Sequence, residues 1–80
     1  MPRVTLYSRP GCHLCEIALA TLSAAQAQHP FELEIRDIDD DPNDFERFRY
    51  EIPVVEVDGR EVARHRVALE VVVEALKAQG

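Results

Sequence analysis

The stretch that most constrains this chain is residues 3 to 36, because its punctuation leaves one way to connect the pieces. Arg3 to Tyr7, RVTLY, is a short half-apolar run with Val, Thr and Tyr, which predicts a strand. Ser8-Arg9-Pro10-Gly11 is a turn, since Pro and Gly both interrupt regular structure there. From Cys12 to about Gln28 the chain is rich in Ala and Leu. Leu14, Ala18, Leu22 and Ala25 recur at steps of three and four, which is one face of a helix. Pro30 ends it by pushing His29 out of the helical region. Phe31, Leu33 and Ile35 then alternate with Glu32, Glu34 and Arg36, the pattern of a half-buried strand with one polar face. Two strands joined by a helix call for parallel pairing through a right-handed crossover.

The remainder adds to that unit. In Asp39-Asp40-Asp41-Pro42, Asp41 suits a helix cap and Pro42 the first helical position, where no backbone N–H is needed. The triple acid also suits the positive end of a helix dipole; a solvated loop explains the run equally well. The helix predicted from Pro42 to about Tyr50 offers Phe45 and Phe48 to the core. Ile52-Pro53 opens a new element. Val54, Val55 and Val57 make a strand, Asp58-Gly59 is a hairpin signal, and Arg60 to Ala63 returns. Val67 to Gln79 reads as a helix, with Leu69, Val72, Val73 and Leu76 on one face. The expected architecture is α/β, in the order β-α-β-α-β-β-α, with a four-stranded mixed sheet and helices on both faces.

Size and charge bound the rest. Eighty residues make a single domain, 1–80. Fifteen acidic residues against nine Lys and Arg give a net charge of −6. That is the opposite of the basic stripe a nucleic-acid binder carries, so no nucleic-acid partner is expected. No apolar run approaches the ~18 residues of a membrane span, and the start, MPRVTLYSRPG, has no signal-peptide core. A cytoplasmic protein is expected. Thiols there are kept reduced, which favours a catalytic or metal-binding cysteine pair over a structural bridge.

The chain has two cysteines, Cys12 and Cys15, in the stretch RPGCHLC. The pair falls where the first strand hands over to the first helix. Cys12 lies at the helix start, near unpaired backbone N–H groups and the positive dipole end, and both stabilise a thiolate. Arg9 and His13 can add positive charge. Cys15 lies about one turn on, on the same side, placed to attack a mixed disulfide formed on Cys12. Two other readings compete. A closed zinc site needs four ligands, and the chain offers these cysteines with His13, His29 and His65. His29 is about 24 Å along the helix at ~1.5 Å per residue, which leaves a ligand missing unless two chains share the metal. Alternatively the pair is inert packing, and the domain is a binding module.

The motifs LYSRPGCHLC and EIPVVEVDG resemble the glutaredoxin branch of the thioredoxin superfamily over nearly the whole length. The chain looks closest to small bacterial glutaredoxin-like proteins. That resemblance implies a thioredoxin-like fold and a thiol-disulfide oxidoreductase. Cys12 would be the nucleophile and Cys15 the resolving thiol, on protein or glutathione mixed disulfides. It implies a cis Ile52-Pro53 bond facing the cysteines, with the Ile52 backbone pairing with an extended substrate and Arg9 steering an anion. No tightly bound cofactor and no metal are implied, only glutathione as a co-substrate, and the protein is expected to be a monomer. The chain departs from the family twice. His13-Leu14 replaces the usual Pro-Tyr between the cysteines; a protonated His13 would tune the Cys12 thiolate, and otherwise it is an exposed polar residue. Ala63-Arg64-His65-Arg66-Val67 stands where a Gly-Gly follows the hairpin. Arg64 and Arg66 there either attract a glutathione carboxylate or are surface charges.

Overall fold

The computed structural model describes residues 1–79. Four strands, β1 (Arg3–Ser8), β2 (Glu32–Asp37), β3 (Val54–Val57) and β4 (Arg60–Arg64), form one sheet in the order β2-β1-β3-β4. Three helices, α1 (His13–Gln28), α2 (Pro42–Phe48) and α3 (Leu69–Gln79), complete it. β1 and β2 are parallel, with Val4 opposite Leu33 and Leu6 opposite Ile35. β3 runs antiparallel to both β1 and β4. The expected order of elements and the mixed sheet are both present.

Period-two alternation distributes the strands' side chains between two layers. Val4 and Leu6 of β1 and Val55 and Val57 of β3 join Ala18, Leu22 and Ala25 of α1 and Val72 and Leu76 of α3 in the larger core. Tyr7 and Val54 face the other way, into a smaller cluster with Ile38 and Phe48 of α2. Helices therefore cover both faces of the sheet.

Local chemistry sets the boundaries. Arg9 to Cys12 is a tight turn closed by the Cys12 N–H on the Arg9 carbonyl at 3.2 Å. Gly11 sits at φ +80, the third turn position of a type II turn, with Pro10 before it. The predicted hairpin has Asp58 and Gly59 both at positive φ, as a two-residue turn with the strands' own twist requires. Its Asp58 side chain accepts the Arg3 N–H at 2.9 Å, tying the hairpin to the start of β1. Asp41 caps α2, accepting the Asn43 N–H at 2.8 Å, with Pro42 behind it.

Four details differ from the sequence expectation. The buried stripe of α1 is Cys15, Ala18, Leu22 and Ala25; Leu14 stays 38% exposed, one residue off that face. Cys15 has taken the place expected of Leu14, three residues before Ala18 instead of four. Ile35 is 52% exposed although it alternates correctly, because β2 is an edge strand and α1 does not cover its far end. Ile38–Asp40 forms a single 3₁₀ turn, with Asp37 accepting the Asp39 N–H, where a loop or cap was expected. α2 ends at Phe48 and α3 starts at Leu69, both shorter than their apolar patterns. Val67 packs on the core from outside the helix.

Candidate functional site

The end of β1 and the start of β3 lie at one edge of the sheet, since Tyr7 is paired with Val54. The Arg9–Cys12 turn leaves β1 there, and Ile52-Pro53 enters β3 there. The expected site residues are thus brought to one end of the molecule by antiparallel register. The Ile52-Pro53 bond is cis, as the resemblance implies.

Cys12 is the N-cap of α1 and is bonded to Cys15 as a disulfide, with the two Cα atoms 5.2 Å apart. The two sulfurs are not equivalent. Cys12 is partly exposed; Cys15, on the inward face of the first turn, is 4% exposed. Cys12 Sγ accepts the Cys15 N–H at 3.1 Å, one of the amides that no helical carbonyl satisfies. A thiolate in this position keeps that donor and the positive end of α1, a helix of 16 residues. Both cysteines open on a cleft of about 180 Å³, walled by Leu6, Leu19 and Ile35 and rimmed by Arg9 and Glu16.

The Arg9 side chain is engaged by Asp39 and Phe45. Its Nε donates to Asp39 Oδ2 at 3.1 Å, and its guanidinium lies 5.5 Å from the centre of the Phe45 ring. What it gives Cys12 directly is its backbone carbonyl. His13 is the first residue of α1 and its side chain is exposed. Ile52 packs against the smaller core, and its N–H donates to the Phe48 carbonyl at 3.1 Å. The Ile52 carbonyl makes no backbone hydrogen bond among the described residues. Only half of the Ile52 peptide edge is therefore available to a visiting strand. Pro53 is buried, and its carbonyl accepts the His65 N–H at 2.8 Å.

The stretch that stands in for Gly-Gly is an ion cluster. Arg64 forks onto Glu61 at 2.6 and 2.7 Å, and its third nitrogen reaches Glu51 at 3.0 Å. Hydrogen bonding to Glu61 pushes the Arg64 pKa further above its ordinary value and holds the Glu61 carboxyl below its own. His65 adopts φ +64, a left-handed conformation that glycine takes freely, and its Nε2 lies 3.0 Å from Glu51. Of the two arginines, Arg64 is thus occupied within the protein. Arg66 forms no ion pair among the described residues. Sequence reading missed Glu51, since only the pairing of β3 with β4 brings residue 51 beside residues 64 and 65.

A disulfide at C-x-x-C spacing on the first turn of a helix, at the same end of the sheet as a cis proline, defines a thioredoxin-fold protein. The Glutaredoxin-like domain (DUF836) matches residues 3–77, and the chain belongs to that family. A glutaredoxin-like protein of Dictyostelium discoideum, described as a YDR286C homolog, is 31% identical over 70 residues. The match takes in 80% of this chain, which spans 65% of that relative's length. Among solved structures, protein Ne2328 of Nitrosomonas europaea superposes with a TM-score of 0.83 at 28% identity, covering 94% of this chain and 91% of that one. Protein XcR50 of X. campestris gives 0.78 at 29%, covering 94% and 96%. Oxidised mitochondrial thioredoxin 3 of Saccharomyces cerevisiae shares the fold at 14% identity, with a TM-score of 0.69 over 96% of this chain and 77% of that one.

Proposed function

We propose that this protein is a dithiol thiol-disulfide oxidoreductase. The observation that carries the reading is the inequality of the two sulfurs: Cys12 caps α1 at the surface and takes a backbone N–H, while Cys15 lies beneath it. In the reduced protein, Cys12 thiolate attacks one sulfur of a substrate disulfide and expels the other substrate sulfur as a thiolate, which takes a proton from water. Cys15 then loses its proton and attacks Cys12 Sγ. The second substrate thiol leaves, the Cys12–Cys15 bond closes, and two electrons have passed to the substrate. A thiol reductant returns them. Ile52 offers its carbonyl to a substrate N–H, and the buried Pro53 leads from it into β3. The substrates in this reading are disulfide-bearing proteins or glutathione mixed disulfides, met in the cytoplasm by a monomeric enzyme.

The test is the alkylation rate of each cysteine in the reduced protein against pH, with sites assigned by mass spectrometry. Cys12 is expected to react fast, with an apparent pKa well below the free value of ~8.5, and Cys15 to be protected. If both react slowly and alike, or only after chelation, the cysteines are not a redox centre. A binding module or a metal shared between two chains then takes the place of the enzyme.

A further inference from the structure

We propose that Glu51 is a positioning residue that holds the Ile52–Pro53 segment in place for the substrate backbone. The proposal rests on the oxidoreductase reading above.

Residue 51 is fixed at both ends. Its N–H donates to the Phe48 carbonyl at 2.8 Å, anchoring it to the end of α2. Its Oε2 accepts from Arg64 Nη1 at 3.0 Å and lies 3.0 Å from His65 Nε2, anchoring it to the end of β4. The next two residues are Ile52 and Pro53. Regular pairing of β3 with β4 stops at Val54 opposite Arg64, but one further bond, His65 N–H to the Pro53 carbonyl, continues past it. Among the described residues, the hydrogen bonds and ion pairs that reach residues 51–53 from the β4 side come from residues 64 and 65, and their side-chain part ends on one carboxylate.

His65 supports the same conclusion from its backbone. A side chain bearing a Cβ is disfavoured at φ +64 and persists where its surroundings over-determine it. What surrounds it is the hydrogen bond to the Pro53 carbonyl and the close approach of its ring to Glu51. Arg64, clamped by Glu61, presents its remaining nitrogen to Glu51 in a fixed direction. The cluster converges on the residue immediately before the segment that would receive a substrate strand.

A segment that positions substrate backbone without touching the sulfurs has a specific kinetic signature. Its loosening raises KM for a substrate that pairs through its backbone and spares one that cannot. Glu51→Ala and Glu51→Gln variants should be compared with the unaltered protein under dithiothreitol turnover. One substrate is a disulfide-linked dimer of a linear peptide; the other is bis(2-hydroxyethyl) disulfide, which has no peptide backbone. Cys12 alkylation by iodoacetamide reports the sulfur itself. The expected result for Glu51→Ala is a loss of about tenfold in kcat/KM on the peptide, carried by KM. The small disulfide and the alkylation rate should change by less than about twofold. Glu51→Gln, which keeps the shape and loses the charge, should lie between. Equal losses on both substrates would mark Glu51 as a merely structural residue and overturn the proposal, as would no loss on either. If the unaltered protein turns over neither disulfide, the oxidoreductase reading itself fails and the proposal with it.

Discussion

On the face covered by α1 and α3, the buried cluster is wholly apolar: Val4, Leu6, Ala18, Leu22, Ala25, Phe31, Val55, Val57, Val72 and Leu76. On the face covered by α2, it shrinks to Tyr7, Ile38, Phe48 and Val54. That smaller layer is also edged with charge. Arg36 grips the buried Asp44 at 3.0 Å, Tyr7 donates its hydroxyl hydrogen to Glu56 at 3.1 Å, and Arg47 lies 4.5 Å from the centre of the Phe48 ring. The contrast assigns two tasks to two layers. The thick layer supplies most of the apolar burial that holds the sheet, at roughly 25 cal/mol per Å². The thin layer supplies less of it, but the Phe48 carbonyl anchors the Glu51–Ile52 backbone.

The largest test of that division is Leu22→Ala. Leu22 is wholly enclosed in the thick layer, so the substitution should cost about 4–5 kcal/mol, read as a shift in the urea midpoint. Cys12 reactivity in the molecules that remain folded should not change. A cost under about 1 kcal/mol would mean the thick layer is not the seat of stability. Phe48→Ala is the counterpart in the thin layer. Its ring sits 4.5 Å from that of Tyr7, and its loss should cost about 3 kcal/mol, the lower end for a core aromatic. Unlike Leu22→Ala, it should speed amide exchange at Glu51 and Ile52, whose N–H groups both donate to the Phe48 carbonyl. Unchanged exchange there would dissolve the contrast between the layers.

The smallest effect is in pH. Burial, then the nearby Glu56 carboxylate, raises the Tyr7 pKa above its ordinary value of ~10. The folded protein thus holds the phenol proton more tightly than the unfolded chain. The stability this contributes is fully present below pH ~10 and is lost as pH rises through the folded value. Tyr7→Phe should remove that alkaline loss, at a cost of about 1 kcal/mol near neutrality for the bond to Glu56. Urea midpoints on both sides of pH ~10 would read both effects.

Much of this was legible in the sequence, where the signal is local. The Pro10-Gly11 turn, the Asp58-Gly59 hairpin, the Asp41-Pro42 cap and the Ala/Leu helix each follow from neighbours within a few residues. So does the placement of Cys12 at a helix start. The cis Ile52-Pro53 bond came from the family resemblance and not from local pattern. What escaped depends on contacts far apart in the chain. Leu14 fits the helical period as well as Cys15 does, and only tertiary packing decides which faces inward. Ile35 alternates correctly, yet its burial depends on where α1 stops covering an edge strand. Arg64 reads as a glutathione contact or a surface charge, and His65 as a candidate zinc ligand, until β4 carries them to Glu51. Arg9 reads as a cation for the thiolate until the 3₁₀ turn delivers Asp39 to it.

The buried position of Cys15 has a consequence for timing. A reductant arriving from solvent meets Cys12 first, so the sulfur expelled when the bond opens is Cys15. It departs as a thiolate into a place that water hardly reaches, and a leaving thiolate is slower when its charge is poorly stabilised. Weak thiols in the bulk should therefore open the oxidised form sluggishly. In the oxidoreductase reading proposed above, a partner that docks closely enough to bring its own proton donor should open the bond faster than a thiol in the bulk.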